Sequence, residues 1–235
     1  MKGQDNGESM KVFVGYDSRE DIAYRVCAGS MLDNNQGKPL SISPIRQYEM
    51  RDKGLYWRGE DPLSSTEFSF TRFLTPYLAG YKGWALFCDC DFLFRKSIDG
   101  LEKYMDPSKA LMVVKHQYNP PEKVKMDGKV QTQYPRKNWS SFMLMNCEHP
   151  SVKALTPDVV NTKTGLYLHR FSWLKNSDLG ALPLHYNYLE GWNTKEECPD
   201  PIGVHFTRGG PWFKGHKQVE YGDEWLEFAK RINHE

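Results

Sequence analysis

The apolar run Trp84-Ala85-Leu86-Phe87 is followed directly by Cys88-Asp89-Cys90-Asp91. A short apolar run that ends in acid reads as a buried strand whose carboxyl end opens onto solvent or a ligand. Side chains alternate between the two faces of a strand. Asp89 and Asp91 therefore point the same way, while Cys88 and Cys90 share the opposite face and pack inward. Two carboxylates converging at a strand's end repel unless a cation or water compensates them. Their oxygens suit a hard divalent ion, Mn or Mg, that can in turn hold phosphate. A lone Asp-x-Asp is also an ordinary acidic turn, and the rest of the chain decides between the two.

The other segments supply an α/β frame. Lys11 to Tyr16 reads as a first buried strand ending in a glycine turn. Ser18-x-x-Asp21 has the form of a capping box, followed by Ile22, Ala23, Val26, Cys27, Ser30 and Met31 at helical spacing. Leu40 to Ile45 forms a second strand broken by Pro44. Ser64-x-x-Glu67 opens a helix through Phe68, Arg72 and Phe73, with Pro76 bending or ending it. Ala110 to Lys115 and Phe142 to Asn146 are further strands. Between them lies a polar, mainly basic excursion from Gln117 to Asn138, with Pro120-Pro121 and a hairpin turn at Asp127-Gly128. It reads equally as a solvated hairpin and as a substrate-facing flap. Helices are expected at His149 to Leu155, Phe171 to Lys175 and Asp223 to Ile232. Strands alternating with helices imply a mainly parallel central sheet flanked by helices. Ligands of such sheets bind outside the carboxyl ends of the strands, where Tyr16, Asp89 and Asp91 fall.

At 235 residues the chain has the length for one substantial core. The expected organisation is a disordered lead-in over 1–9 and one domain over 10–235. Lys and Arg number 31 against 30 Asp and Glu, so no global field points to nucleic acid. With no long uncharged apolar run, neither a membrane span nor a secretory signal is expected. A cytoplasmic location follows, compatible with peripheral association with a membrane-bound acceptor. The cysteines number five, an odd count that fits buried reduced thiols.

Three segments join the aspartates. Tyr16 and Asp17 offer an aromatic face and a carboxylate to a base. Arg72 is a lone guanidinium in an apolar helical stretch, a setting that pairs it with an acid or phosphate. His205-Phe206-Thr207-Arg208-Gly209-Gly210-Pro211-Trp212 combines an imidazole, a guanidinium and a glycine turn whose N–H groups can approach phosphate. Asp89, Asp91 and a neutral His205 make a suitable Mn ligand set.

In this order the motifs resemble those of GT-A glycosyltransferases, most of all the family 8 type that includes glycogenin and bacterial lipopolysaccharide galactosyl- and glucosyltransferases. The resemblance runs from Lys11 to about Lys214 and points to a related but distinct family. It implies an α/β GT-A fold, the Rossmann-like nucleotide-diphospho-sugar transferase architecture. It also implies transfer of a hexose from a nucleotide sugar, UDP-linked, to a glycan, a lipid-linked glycan or another hydroxyl acceptor, with a weak preference for retention. By the same likeness Mn2+ (or Mg2+) sits on Asp89, Asp91 and His205, Tyr16 and Asp17 meet the uracil, and Arg72 contacts the donor. Trp139 to Asn146 resembles the stretch whose small residues make room for the donor sugar, which assigns Ser140 and Ser141 to that sugar. Leu182-Pro183-Leu184-His185-Tyr186-Asn187-Tyr188 resembles the family's Leu-Pro-x-x-Tyr/Trp-Asn-Tyr segment.

Two departures stand out. Leu166 to Phe171 replaces an Asp-Gln-Asp motif, leaving His169 or Arg170 to face the reacting sugar. Gly210 stands where a lysine precedes Pro-Trp, leaving Arg208 or Lys214 to neutralise the departing diphosphate, with Gly209 and Gly210 beside it. Two other readings compete. Phe87 to Leu93 also has the form of a haloacid-dehalogenase nucleophile motif, although that motif ends the first strand of its fold. The lost Asp-Gln-Asp and the seven tryptophans would also suit a sugar-binding module without turnover.

Overall fold

The computed structural model describes residues 9–37, 39–59, 61, 64–117 and 136–233. Strand β1 (Met10–Tyr16) passes through a 3-10 turn at Ser18–Glu20 into helix α1 (Asp21–Asp33), then β2 (Leu40–Arg46) and α2 (Gln47–Asp52). A 3-10 turn at Thr71–Leu74 leads into α3 (Thr75–Leu78), and β3 (Trp84–Cys88) and β4 (Phe92–Phe94) flank the acidic motif. Strand β5 (Leu111–Val114) precedes a 3-10 turn at Trp139–Ser141 that opens β6 (Phe142–Asn146). Helices α4 (Pro150–Lys153), α5 (Pro157–Thr162) and α6 (Gly165–His169) come next. They lead to β7 (Leu179–Leu182), β8 (Tyr188–Leu189), β9 (Gly203–His205) and α7 (Gly222–Asn233).

The main sheet has the order β2-β1-β3-β6-β5-β7. Only β6 runs against its neighbours; every other pairing is parallel. The expected mainly parallel sheet is therefore present. A smaller sheet, β4-β9-β8, lies beyond the acidic motif. Strands β1, β3, β5 and β6 are buried almost throughout, as expected of a sheet covered on both faces. Gly15, next to last in β1, has no side chain because a Cβ there would stand 2.5 Å from the Phe68 ring.

Several local expectations change. Asp17, not Ser18, caps the first turn, accepting from the Arg19 N–H, while the Ser18 hydroxyl binds Glu67 at 2.5 Å. Strand β2 continues through Pro44 because it is an edge strand with one partner, where a missing N–H costs no ladder bond. The helix expected from Ser64 is instead a series of turns, and Pro76 sits in the first turn of α3, where it fits without loss. Phe171 to Lys175 is not helical. Helix α6 ends just before it, and Phe171 takes a left-handed φ of 55°. Residues 1–8 of the lead-in, Pro120-Pro121 and the Asp127-Gly128 turn lie outside the described residues. Among those described, all five cysteines are free and buried, and no helix is long and apolar enough to cross a membrane.

One buried amide ties the segment before Thr71–Leu74 to the helices behind it. Asn161 of α5, 8% exposed, accepts from the Trp57 and Arg58 N–H groups at 2.7 and 3.1 Å. It donates to the Leu55 and Pro157 carbonyls at 2.9 and 2.7 Å. Helix α5 packs on the turn that carries Arg72. Asn161→Ala leaves these main-chain groups unpaired and is expected to cost about 2–4 kcal/mol by urea denaturation, with faster hydrogen exchange at Trp57 and Arg58.

Candidate functional site

The end of β3 is held from two sides. The Asp89 N–H donates to the Ser141 carbonyl at 2.9 Å, extending the β3–β6 ladder one step past the strands. The Asp91 carbonyl accepts from the Phe206 N–H at 2.9 Å, just beyond β9. Strand β4 then pairs with β9 so that Phe92 lies opposite His205, and their rings stack 4.4 Å apart. These main-chain contacts bring ligand atoms of Asp89, Asp91 and His205 within 4.8 Å of one another.

Arg72 closes the cluster from beneath. Its side chain is 7% exposed, and Nη1 donates to Asp89 Oδ1 at 2.8 Å and to the Ser140 carbonyl at 3.0 Å. The guanidinium lies over the rings of Phe68 and Phe87, so the expected pairing of a lone arginine with an acid is met inside the chain. On the other flank, His205 Nδ1 lies 3.0 Å from Asn187 Oδ1, and Nε2 lies 3.1 Å from Asp91 Oδ1. Asp91 Oδ1 is buried and accepts no hydrogen bond. A buried carboxylate oxygen facing a second potential ligand, with no donor between them, fits a divalent cation.

Around this cluster the sequence-designated residues fall in two groups. Ser140 Oγ lies 2.8 Å from His169 Nδ1, and the His169 ring stands edge-on to Phe73, so His169 belongs to the wall next to Arg72. Arg170 follows it, with a buried Nε that has no acceptor and a carbonyl bonded to Arg136. The Ser141 hydroxyl donates to the Asn138 carbonyl at 2.6 Å. Tyr16 stands at the end of β1 with its ring packed on Tyr24 and under Arg46, and its hydroxyl donates to Asp21. Asp17 is fully buried, and both its oxygens are engaged by Arg19 and the Glu67 N–H. Burial works against its charge, but those donors outweigh it and hold its pKa below the ordinary value.

The loop after β9 carries the second group. Arg208 and Lys214 are exposed, and Arg208 donates to the Gly191 carbonyl. Gly209 takes a left-handed φ of 104°. At Gly210 a Cβ would run into the Trp212 ring. That ring's N–H donates to Glu20 at 3.2 Å, joining the loop to the first turn of the chain.

Sequence reasoning overlooked three side chains. Glu20 is pushed up to about 7 by burial and by the neighbouring Asp91 and Asp17 carboxylates. His116, 8% exposed with Nε2 unpartnered, is pushed down to about 3 by burial and by His205. Asn187 lay inside a recognised segment, but its contact with His205 depends on tertiary structure and no local pattern announces it.

No protein-family model matches the sequence. Among solved structures, the bifunctional glycosyltransferase WbbM superposes with a TM-score of 0.67 at 13% identity, over 94% of this chain and 49% of that one. The glycosyltransferase GlyE of Streptococcus pneumoniae TIGR4 gives 0.62 at 14%, over 94% and 60%. The galactosyltransferase LgtC, solved with donor and acceptor sugar analogs, gives 0.55 at 11%, over 94% and 96%. The chain thus spans about half of WbbM and three-fifths of GlyE. These likenesses establish the GT-A fold, in which the Asp-x-Asp pair ends the third strand and not the first, as a dehalogenase-type site would require. Protein CDI of Arabidopsis thaliana is 50% identical over 236 residues, covering 99% of this chain and 91% of that protein. The chain belongs to the same family as Arabidopsis Protein CDI.

Proposed function

We propose that this protein is a metal-dependent glycosyltransferase that moves a hexose from a nucleotide sugar, UDP-linked, to a hydroxyl of a glycan, a lipid-linked glycan or another acceptor. The observation that carries the reading is the convergence of Asp89, Asp91 and His205 at the carboxyl edge of a GT-A sheet, with Asp91 Oδ1 buried and undonated. When bound there, Mn2+ or Mg2+ supplies the positive charge that neutralises a diphosphate.

The chain's own residues divide the remaining work. Tyr16 presents a ring face to the base, while Asp17, buried with both oxygens held by Arg19 and the Glu67 N–H, shapes the turn beneath it and does not meet the uracil as expected from the sequence. Arg72 aims Asp89 through the 2.8 Å contact with its Oδ1. Arg208, Lys214 and the Gly210 N–H face the departing diphosphate, where donors fixed in advance stabilise developing charge, and the Gly209 N–H, donated to the Phe206 carbonyl at 2.9 Å, holds the turn beside it. Ser140, Ser141, His169 and Arg170 line the sugar side, with His169 or Arg170 beside the reacting carbon. In a retaining course the departing phosphate oxygen takes the acceptor's proton, so no carboxylate base is required of the chain.

Titration of UDP into the protein by calorimetry tests the reading. Micromolar binding is expected with Mn2+. It should weaken on the order of a hundredfold or more with EDTA or on Asp91→Ala. No binding to wild type with Mn2+ would overturn the proposal. Acceptor-free hydrolysis of a UDP-sugar, lost on Asp91→Ala, would separate an enzyme from a sugar-binding module.

The charge balance of the site gives a second test. Glu20 titrates near 7 in the fold against an ordinary 4.5. Between those values the folded chain keeps a proton that the unfolded chain has lost, so stability should fall as pH rises from about 4.5 to about 7. Glu20→Gln should flatten that part of the profile in urea denaturations across pH. An unchanged slope would show that Glu20 is already ionised.

A further inference from the structure

A buried hydrogen-bond chain runs from Asn138 to His205, and one end fixes its direction. Asn138 adopts a left-handed backbone, φ 64° and ψ 0°, which turns its carbonyl onto Ser141. A carbonyl only accepts, so the single hydroxyl proton of Ser141 is committed to it. Towards Asn187 Nδ2, 3.0 Å away, Ser141 Oγ is then the acceptor. This orients the Asn187 amide with Oδ1 on His205 Nδ1 at 3.0 Å, and Oδ1 also only accepts. His205 Nδ1 therefore carries the proton. Ser141, Asn187 and His205 are 2%, 0% and 1% exposed, so solvent offers the chain no alternative partner.

We propose that Ser141 and Asn187 are positioning residues that lock His205 as its Nδ1–H tautomer and keep Nε2 bare, 3.1 Å from Asp91 Oδ1, for a divalent cation. The inference rests on reading Asp89, Asp91 and His205 as a cation site. With the Asn187 amide reversed, Nδ2 would meet Nδ1, the proton would move to Nε2, and His205 would hydrogen-bond Asp91. That bond would occupy two of the three ligand atoms. The relay thus selects an open ligand pair over a closed one, as hydrogen bonds to the far nitrogen of a metal-binding histidine do in general. The same turn also holds the other side of the site. The Ser141 carbonyl binds the Asp89 N–H, and the Ser140 carbonyl binds Arg72. Ser141 is therefore a structural hub, with its hydroxyl proton committed to the Asn138 carbonyl.

The tautomer can be read without any metal. Long-range 1H–15N NMR of the metal-free, histidine-labelled full chain in mildly alkaline buffer should show a pyrrole-type Nδ1 and a pyridine-type Nε2 for His205, assigned by its loss in His205→Gln. A pyrrole-type Nε2 overturns the proposal. Mn2+ affinity, followed by the EPR signal of free Mn2+, should fall about 10–100-fold in Asn187→Ala. Asn187→Asp, which keeps an acceptor for Nδ1–H, should stay within a few-fold of wild type. Undiminished Mn2+ binding by Asn187→Ala also overturns the proposal. If that variant does not fold, Ser141→Ala takes its place, with weaker Mn2+ binding and a mixture of tautomers expected. A wild type that shows the expected tautomer yet binds no Mn2+ would overturn the cation site itself, and with it the purpose assigned to the relay.

Discussion

Strand β6 is the one member of the six-stranded sheet that runs against its neighbours, and this reversal places the beginning of β6 beside the end of β3. In an all-parallel sheet a strand's first residues lie at the far edge from the ligand. Here Ser140 and Ser141 arrive at the ligand edge. The hydrogen bond from the Asp89 N–H to the Ser141 carbonyl then carries the ladder past the last formal pair, Cys88 with Phe142. Asp89, the Arg72 guanidinium, the His169 ring and the relay to His205 all hang on that one turn. The site is therefore set by main-chain pairing first and by side-chain choice second.

The smaller sheet supplies the opposing half. Strand β9 reaches β4 from the far end of the chain, and the Phe92 ring beneath His205 fixes the plane of the imidazole. An imidazole stacked on one ring and bonded through Nδ1 has little rotational freedom left, so its free nitrogen is aimed before any ligand arrives. Such advance placement lowers the ordering cost of binding.

Much of this was legible in the sequence because it rests on local pattern. The buried strands announce themselves as short apolar runs, and Asp89 and Asp91 follow from one of them. His205 stood out only in company with those carboxylates. What escaped depends on contacts between distant segments. Asn187 reads as one more polar residue in an aromatic segment until the fold sets it against His205. Asn138 gives no sign that its backbone is left-handed. Pro76 reads as a helix breaker but starts a short helix, since proline suits a first turn as well as it ends a long one. Ser18 looked like a cap, yet the carboxylate one residue earlier holds the turn, being the stronger acceptor.

On the proposed function, formal charge gives a reason for nucleotide binding at this edge to need a cation. Asp89 and Asp91 contribute two negative charges, Arg72 returns one positive, and Asp17 is balanced by Arg19. Glu20, pushed up to about 7 by burial and by Asp91 and Asp17, carries only part of a charge near neutral pH, and an imidazole that serves as a metal ligand adds none. The side chains around the ligand position thus sum to about one negative charge, which repels a diphosphate. A divalent cation reverses the sign to about one positive, and the exposed Arg208 and Lys214 add to it. Gly210, just before Pro211-Trp212, adds no charge to this balance. No fixed cation at that position stands in for the metal, because the Trp212 ring fills the space where a side chain would be.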